Sequence, residues 1–151
     1  MRLPLDREKY FPNLTPDNYR VSSDESEDYN CIAHAYGTAE VCYWPPVEGV
    51  GEGYSWPQDL PVEETPEAFV AFFARGGYAE CETLNLEEGY EKVALYADRD
   101  VITHAAIQLP TGHWSSKLGV KWEDIDHDTP QGVESIDYGQ IARILRRPRA
   151  S

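Results

Sequence analysis

Two residues of this sequence have the type and setting for nucleophilic chemistry. Cys31 lies in Asn30-Cys31-Ile32-Ala33-His34-Ala35, after the polar, acidic run Ser22–Asp28 and before Gly37. Asp28 or Asn30 can start a helix there, since either side chain accepts from free amides two or three residues on. Gly37 supplies a left-handed cap at its end. A thiol in the first turn gains from the helix dipole and free amides, which favour the thiolate. The same amides, beside Asn30 and Ile32, can hold an oxyanion. The plain alternative is an inert, buried cysteine at a small position, which is the reading for Cys42 and Cys81.

His104 is the matching base. It lies in Val101–Leu109, which reads as a strand. Alternation places Ile102, His104, Ala106 and Gln108 on one face and Thr103, Ala105, Ile107 and Leu109 on the other. The small Ala106 leaves room beside the imidazole. A base of this kind needs an orienting group, and the strand after the Pro110-Thr111-Gly112 turn offers Ser116 and Lys117. Ser116 can accept from the ring, whereas charged Lys117 only donates. His127, with Asp126 and Asp128, is a further neighbour to expect.

The elements that must position these residues follow from pattern. Residues 1–25 read as an extended arm with Pro4, Pro12 and Pro16. Residues 28–77 form a helical part with a long loop. On that loop Trp44 and Trp56 either wall a cleft or pin the loop to the core. Thr65 caps a helix begun by Pro66 and ended by Gly76-Gly77, with Phe69, Phe72 and Phe73 as a core stripe. Residues 78–151 read as an antiparallel sheet with strands near 91–97, 101–109, 114–118 and 138–147. An acidic connector fills 119–137. Helices first and an antiparallel sheet after is an α+β domain, single across residues 1–151.

A metal centre is the other chemistry to weigh. Cys31 and His34, at i and i+3, share a helix face, and His104, His113 and His127 are further donors. Structural zinc prefers close ligand pairs on both sides, and only one such pair exists. No metal and no cofactor are expected, and His34 is read as lining the site.

Composition narrows the partners. With 27 acidic against 13 basic residues, net charge −14, the chain lacks the lysines and arginines that meet a phosphate backbone or an anionic membrane. A cationic partner, or simple solubility, fits that balance. Arg143, Arg146, Arg147 and Arg149 are expected at a solvated strand edge and tail. No stretch approaches the roughly 20 apolar residues of a membrane span. Residues 1–8 lack the apolar core of a signal peptide. Three cysteines without CxxC spacing point to a reducing cytosol, or to export without an N-terminal signal.

Taken together, the pattern resembles the papain-like cysteine hydrolase superfamily, in its compact bacterial NlpC-type and CHAP-type branch. The resemblance rests on Cys31 opening a helix, His104 on a later strand with small neighbours, and Ser116 on the strand after it. It implies a papain-like fold with helices packed on an antiparallel sheet. It also implies Cys31 as nucleophile, His104 as base and Ser116 as orienter. The sequence departs from the superfamily in two places: the third residue is not Asn, Asp or His, and Asn30 replaces the oxyanion glutamine. Asn30–Ala33, Lys92–Tyr96, Thr103–Ala106 and the run from Ser116 to position 119 also resemble a bacterial family of unknown function.

Two functions follow as expectations. One is a hydrolase or transferase acting on an amide bond of a peptide or other amide substrate (a peptidase, amidase or deamidase). The other is a non-catalytic acidic protein that engages a basic partner or blocks a nucleic-acid-binding site.

Overall fold

The computed structural model describes residues 2–48, 50, 52–118 and 122–149. In chain order the elements begin with α1 (Leu5–Glu8), β1 (Tyr19–Val21), α2 (Cys31–Tyr36), β2 (Cys42–Tyr43) and β3 (Tyr54–Ser55). Then come α3 (Pro66–Ala74), β4 (Ala79–Glu80), β5 (Tyr90–Asp98), β6 (Val101–Gln108) and β7 (Trp114–Lys117). The chain ends with β8 (Asp124–His127), a 3-10 turn over Pro130–Val133, and β9 (Gln140–Pro148). This is α+β: few helices against a seven-stranded sheet of order β1-β8-β7-β6-β5-β9-β4.

All neighbouring strands of that sheet run antiparallel. β5, β6, β7 and β8 follow one another as a meander. The last strand does not extend that meander. β9 returns beside β5, so the strand carrying His104 lies near the centre. Two expected segments differ. The arm is helical at α1 and its end, β1, joins the sheet through β8. The acidic connector carries β8, whose Asp124-Ile125-Asp126-His127 alternation buries Ile125 and His127 on one face. Position 119, the end of the family-like run, and the loop glycines at 49 and 51 lie outside the described residues.

The sheet separates two cores. On one face α2 and α3 cover Val93, Leu95, Ile102, Ala105 and Leu145. Asn30 caps α2, accepting from the Ala33 amide at 3.1 Å, and Gly37 at φ 114° ends it. Thr65 caps α3 through the Ala68 amide, and Phe69 and Phe73 are fully buried beneath it. Each such ring contributes about 1.5–3 kcal/mol by leaving water. On the other face the arm (Leu3, Phe11, Leu14) and the 3-10 turn cover Ala94, Tyr96, Ala106, Trp114 and Ile125. Tyr96 donates to the Pro130 carbonyl at 2.6 Å, tying that turn to the sheet.

A bulge decides which residues share a face. Tyr96 pairs with His104 but Ala97 pairs with Ile102, so Thr103 is the extra residue. Alternation breaks there. Ile102 joins Ala105 under the helices, while His104 keeps the face of Ala106 and Tyr96. The face assignment of Ile102 from simple alternation is therefore corrected. The Thr103 hydroxyl donates to the Tyr138 carbonyl and lies 3.3 Å from the Tyr96 carbonyl, which shares its one hydrogen.

Candidate functional site

The structure brings His104, Ser116 and His127 together and holds Cys31 apart from them. His104 Nε2 lies 3.0 Å from Ser116 Oγ, and Ser116 Oγ lies 2.8 Å from His127 Nε2. His127 Nδ1 lies 2.7 Å from the Thr129 carbonyl. The direction of this chain follows from what each atom can do. The carbonyl only accepts, so His127 Nδ1 carries hydrogen. Burial pushes His127 down to about 4, so the ring is neutral and its Nε2 accepts. Ser116 donates to it and therefore accepts from His104 Nε2–H. His104 is fully buried, which holds it well below the usual histidine range and neutral. Its Nδ1 is a bare lone pair with no partner. The expected contact between Ser116 and the His104 ring is present, with His127 behind it. Tyr138 stacks flat on the imidazole, with centroids 4.2 Å apart and planes within 5°.

Cys31 occupies the first turn of α2, on the helical face of the sheet with Ala105. Its sulfur lies against the backbone amides of Ala105, Ile32 and Cys31 itself. Those amides favour a thiolate, but desolvation is larger and pushes the thiol up to about 11. At neutral pH it is protonated, and no hydrogen bond joins it to His104. The amides expected to hold an oxyanion are taken by the thiol and by Asn30. Asn30 also accepts from the Tyr43 amide at 3.1 Å and donates to the Tyr43 carbonyl at 2.6 Å. Ile32 is a fully buried core residue.

Around His34 sits a second polar group, on the face opposite His104. His34 Nε2 is 2.7 Å from Ser115 Oγ, and its ring stacks on Tyr29. His34 Nδ1 lies 3.7 Å from Asp124, too long for a hydrogen bond. Tyr29 donates to Asp124 at 2.6 Å and is pushed up to about 12 by burial and that carboxylate. Burial lowers His34, partly opposed by Asp124. Lys117 shares this face, donating to the Ser26 carbonyl at 2.8 Å and to the Trp122 carbonyl. Its ammonium lies 5.1 Å from the Tyr29 ring centre. The sequence pattern did not single out Ser115, Tyr29 or Asp124. The signal available was that Ser115 and Lys117 alternate with Ser116, which puts them on the helix side.

Trp44 and Trp56 pin the long loop to α3. Trp44 packs on Phe69 and donates to Glu64 at 2.7 Å, and Trp56 stacks on Phe72. Among the described residues no three His, Cys, Asp or Glu side chains gather as a metal site requires. No described helix is long and apolar enough to cross a membrane.

Residues 20–146 match the family described as Domain of unknown function (DUF7689). The chain belongs to the DUF7689 family. No curated protein and no solved structure matches it. The matched span contains Cys31, His104, Ser116 and His127, and begins beyond the arm residues Leu3, Phe11 and Leu14.

Proposed function

We propose that this DUF7689 domain uses a papain-like layout, a short cysteine-opened helix on an antiparallel sheet, as a scaffold that binds a cationic partner. One observation carries the reading. Every arginine is ion-paired with a carboxylate, from Arg2 with Glu8 and Arg7 with Glu25 to Arg147 with Glu91. The terminal cluster is included: Arg143 meets Glu67 and Glu80, and Arg146 meets Glu87. The arginine charges are thus met at home, and the surplus of carboxylates sets the outward field. That surplus repels nucleic acid and attracts basic protein segments. The protonated, buried Cys31 and the separately buried His104 fit a scaffold better than a working pair.

The test is binding of a lysine-rich peptide to wild type and to Cys31→Ala, at low and high salt. Equal binding by both proteins, weakening steeply as salt shortens the screening length, is the expected result. No binding at low salt overturns the reading.

A second reading is amide hydrolysis by Cys31. It is favoured by one observation, the bare Nδ1 of an imidazole already oriented through Ser116 and His127. In that case His104, which lies across the sheet from Cys31, must first reach the thiol. It then passes the thiol proton to the leaving amine as Cys31 displaces it from the carbonyl carbon, and water releases the acyl group. Turnover of a peptide amide that vanishes in both Cys31→Ala and His104→Ala would establish it.

A further inference from the structure

A cavity of about 530 Å³ opens at the end of β6 and β7, on the face away from α2. Its apolar wall includes Leu84, Trp114, Pro130 and Ile144. Its charged lining residues are Glu82 and Asp128, both acids at exposed positions, and no lysine or arginine among the described residues lines it. Gln108, 2% exposed, stands in the same wall. Its Nε2 donates to the Leu84 carbonyl at 3.1 Å, which fixes the orientation of the amide. Its Oε1 is then turned away from that carbonyl, shielded from bulk water and without a partner. A buried amide oxygen left unpaired costs about 1–3 kcal/mol, so the wall calls for a hydrogen-bond donor.

The main-chain acceptors nearby are already engaged. The Thr83 carbonyl takes the Lys92 ammonium, the Thr129 carbonyl takes His127, and the Pro130 carbonyl takes Tyr96. Among the groups that face a ligand are the Gln108 oxygen and two carboxylates, Asp128 with His113 Nε2 3.7 Å from it, above an apolar wall. That combination suits a donor-rich cationic head on an aliphatic stem.

We propose that this cavity binds an alkylammonium group, with its stem on Trp114 and Leu84 and its charge between Glu82, Asp128 and Gln108 Oε1. This rests on the cationic-partner reading and gives it a site. A lysine side chain of a polypeptide and a free diamine present the same chemistry, so the test carries both.

The experiment is nitrogen-resolved NMR of the intact protein, titrated with a blocked Gly-Lys-Gly tripeptide, its norleucine isostere, and cadaverine. The expected result is a shift of the Gln108 side-chain amide and the Trp114 indole with an ammonium probe and none with norleucine. Glu82→Gln and Asp128→Asn, both at exposed positions and outside the core, should each weaken that binding about fivefold or more. Response to the tripeptide assigns a polypeptide source, and response to cadaverine alone assigns a free amine. Equal binding of norleucine, or no shift at Gln108 and Trp114 with either ammonium probe, overturns the site. If lysine-rich peptides still bind in a salt-dependent way with shifts elsewhere, the cationic-partner reading survives without this cavity. If they bind nowhere, both fall.

Discussion

His104 donates from Nε2 to the Ser116 hydroxyl across 3.0 Å, and that bond fixes which nitrogen of the ring is bare. The hydroxyl hydrogen in turn goes to His127. Ser116→Ala removes both bonds at once and strands one buried donor and one buried acceptor. At about 1–3 kcal/mol for each stranded group, the loss should be about 2–6 kcal/mol. Urea unfolding at neutral pH measures it. A change within half a kcal/mol, on the order of an ordinary surface substitution, would mean that the chain of bonds does not form in solution.

The same network makes stability fall in mild acid. His127 has a folded value near 4, against about 6.5 when exposed, and His104 lies well below its ordinary value for the same reason, burial. Between those values the unfolded chain binds a proton that the folded chain refuses. Stability is therefore intact above about pH 6.5 and declines as pH falls toward 4. His127 alone accounts for about 3 kcal/mol across that window. Unfolding free energies at several pH values should slope in this direction, and His127→Gln should flatten the slope. A stability independent of pH between 4 and 6.5 would rule the buried neutral histidines out.

Much of this arrangement was legible in the sequence, and the gaps have physical causes. The caps at Asn30, Gly37 and Thr65 are local chemistry, so α2 and α3 appear where the pattern placed them. The contact of Ser116 with His104 followed from side-chain donor rules and a short turn. The bulge at Thr103 was not legible, because one extra residue in a strand leaves no mark in a polar and apolar pattern. Strand β8 was missed because its aspartates face Tyr29, His34 and Arg20, so a polar string is partly buried by specific pairing. The place of β9 beside β5 is a tertiary outcome that no local signal carries. For the same reason the sequence could name Cys31 and His104 but not the faces they would take.

Cys31 should be the slowest of the three thiols. It is buried and pushed up to about 11, whereas Cys42 and Cys81 are partly exposed. Only thiolate reacts with iodoacetamide, so a value about two units above that of free cysteine cuts the reactive fraction about a hundredfold near neutral pH. Burial slows the reaction further. Peptide-resolved mass spectrometry after a short exposure at pH 7.5 should find label on Cys42 and Cys81 first. Labelling of Cys31 ahead of both would show an activated nucleophile and would favour the hydrolase reading over the binding one.

Asn30 does more than cap a helix. Its Oδ1 accepts from Ala33 and from Tyr43, and its Nδ2 donates to the Tyr43 carbonyl, so one side chain ties α2 to β2. An N-cap alone contributes about 0.5–2 kcal/mol. Asn30→Ala also strands the amide and carbonyl of half-buried Tyr43, which raises the expected loss to about 2–4 kcal/mol. Asn30→Asp keeps both accepted bonds but sets a carboxylate oxygen against the Tyr43 carbonyl, where a donor stood. It should therefore fall between wild type and alanine at neutral pH, and move toward alanine if that repulsion dominates the retained cap. Thermal unfolding of the three proteins orders them. If Asn30→Asp matches wild type, the bond to the Tyr43 carbonyl adds nothing, and α2 is held by its cap and its apolar face alone.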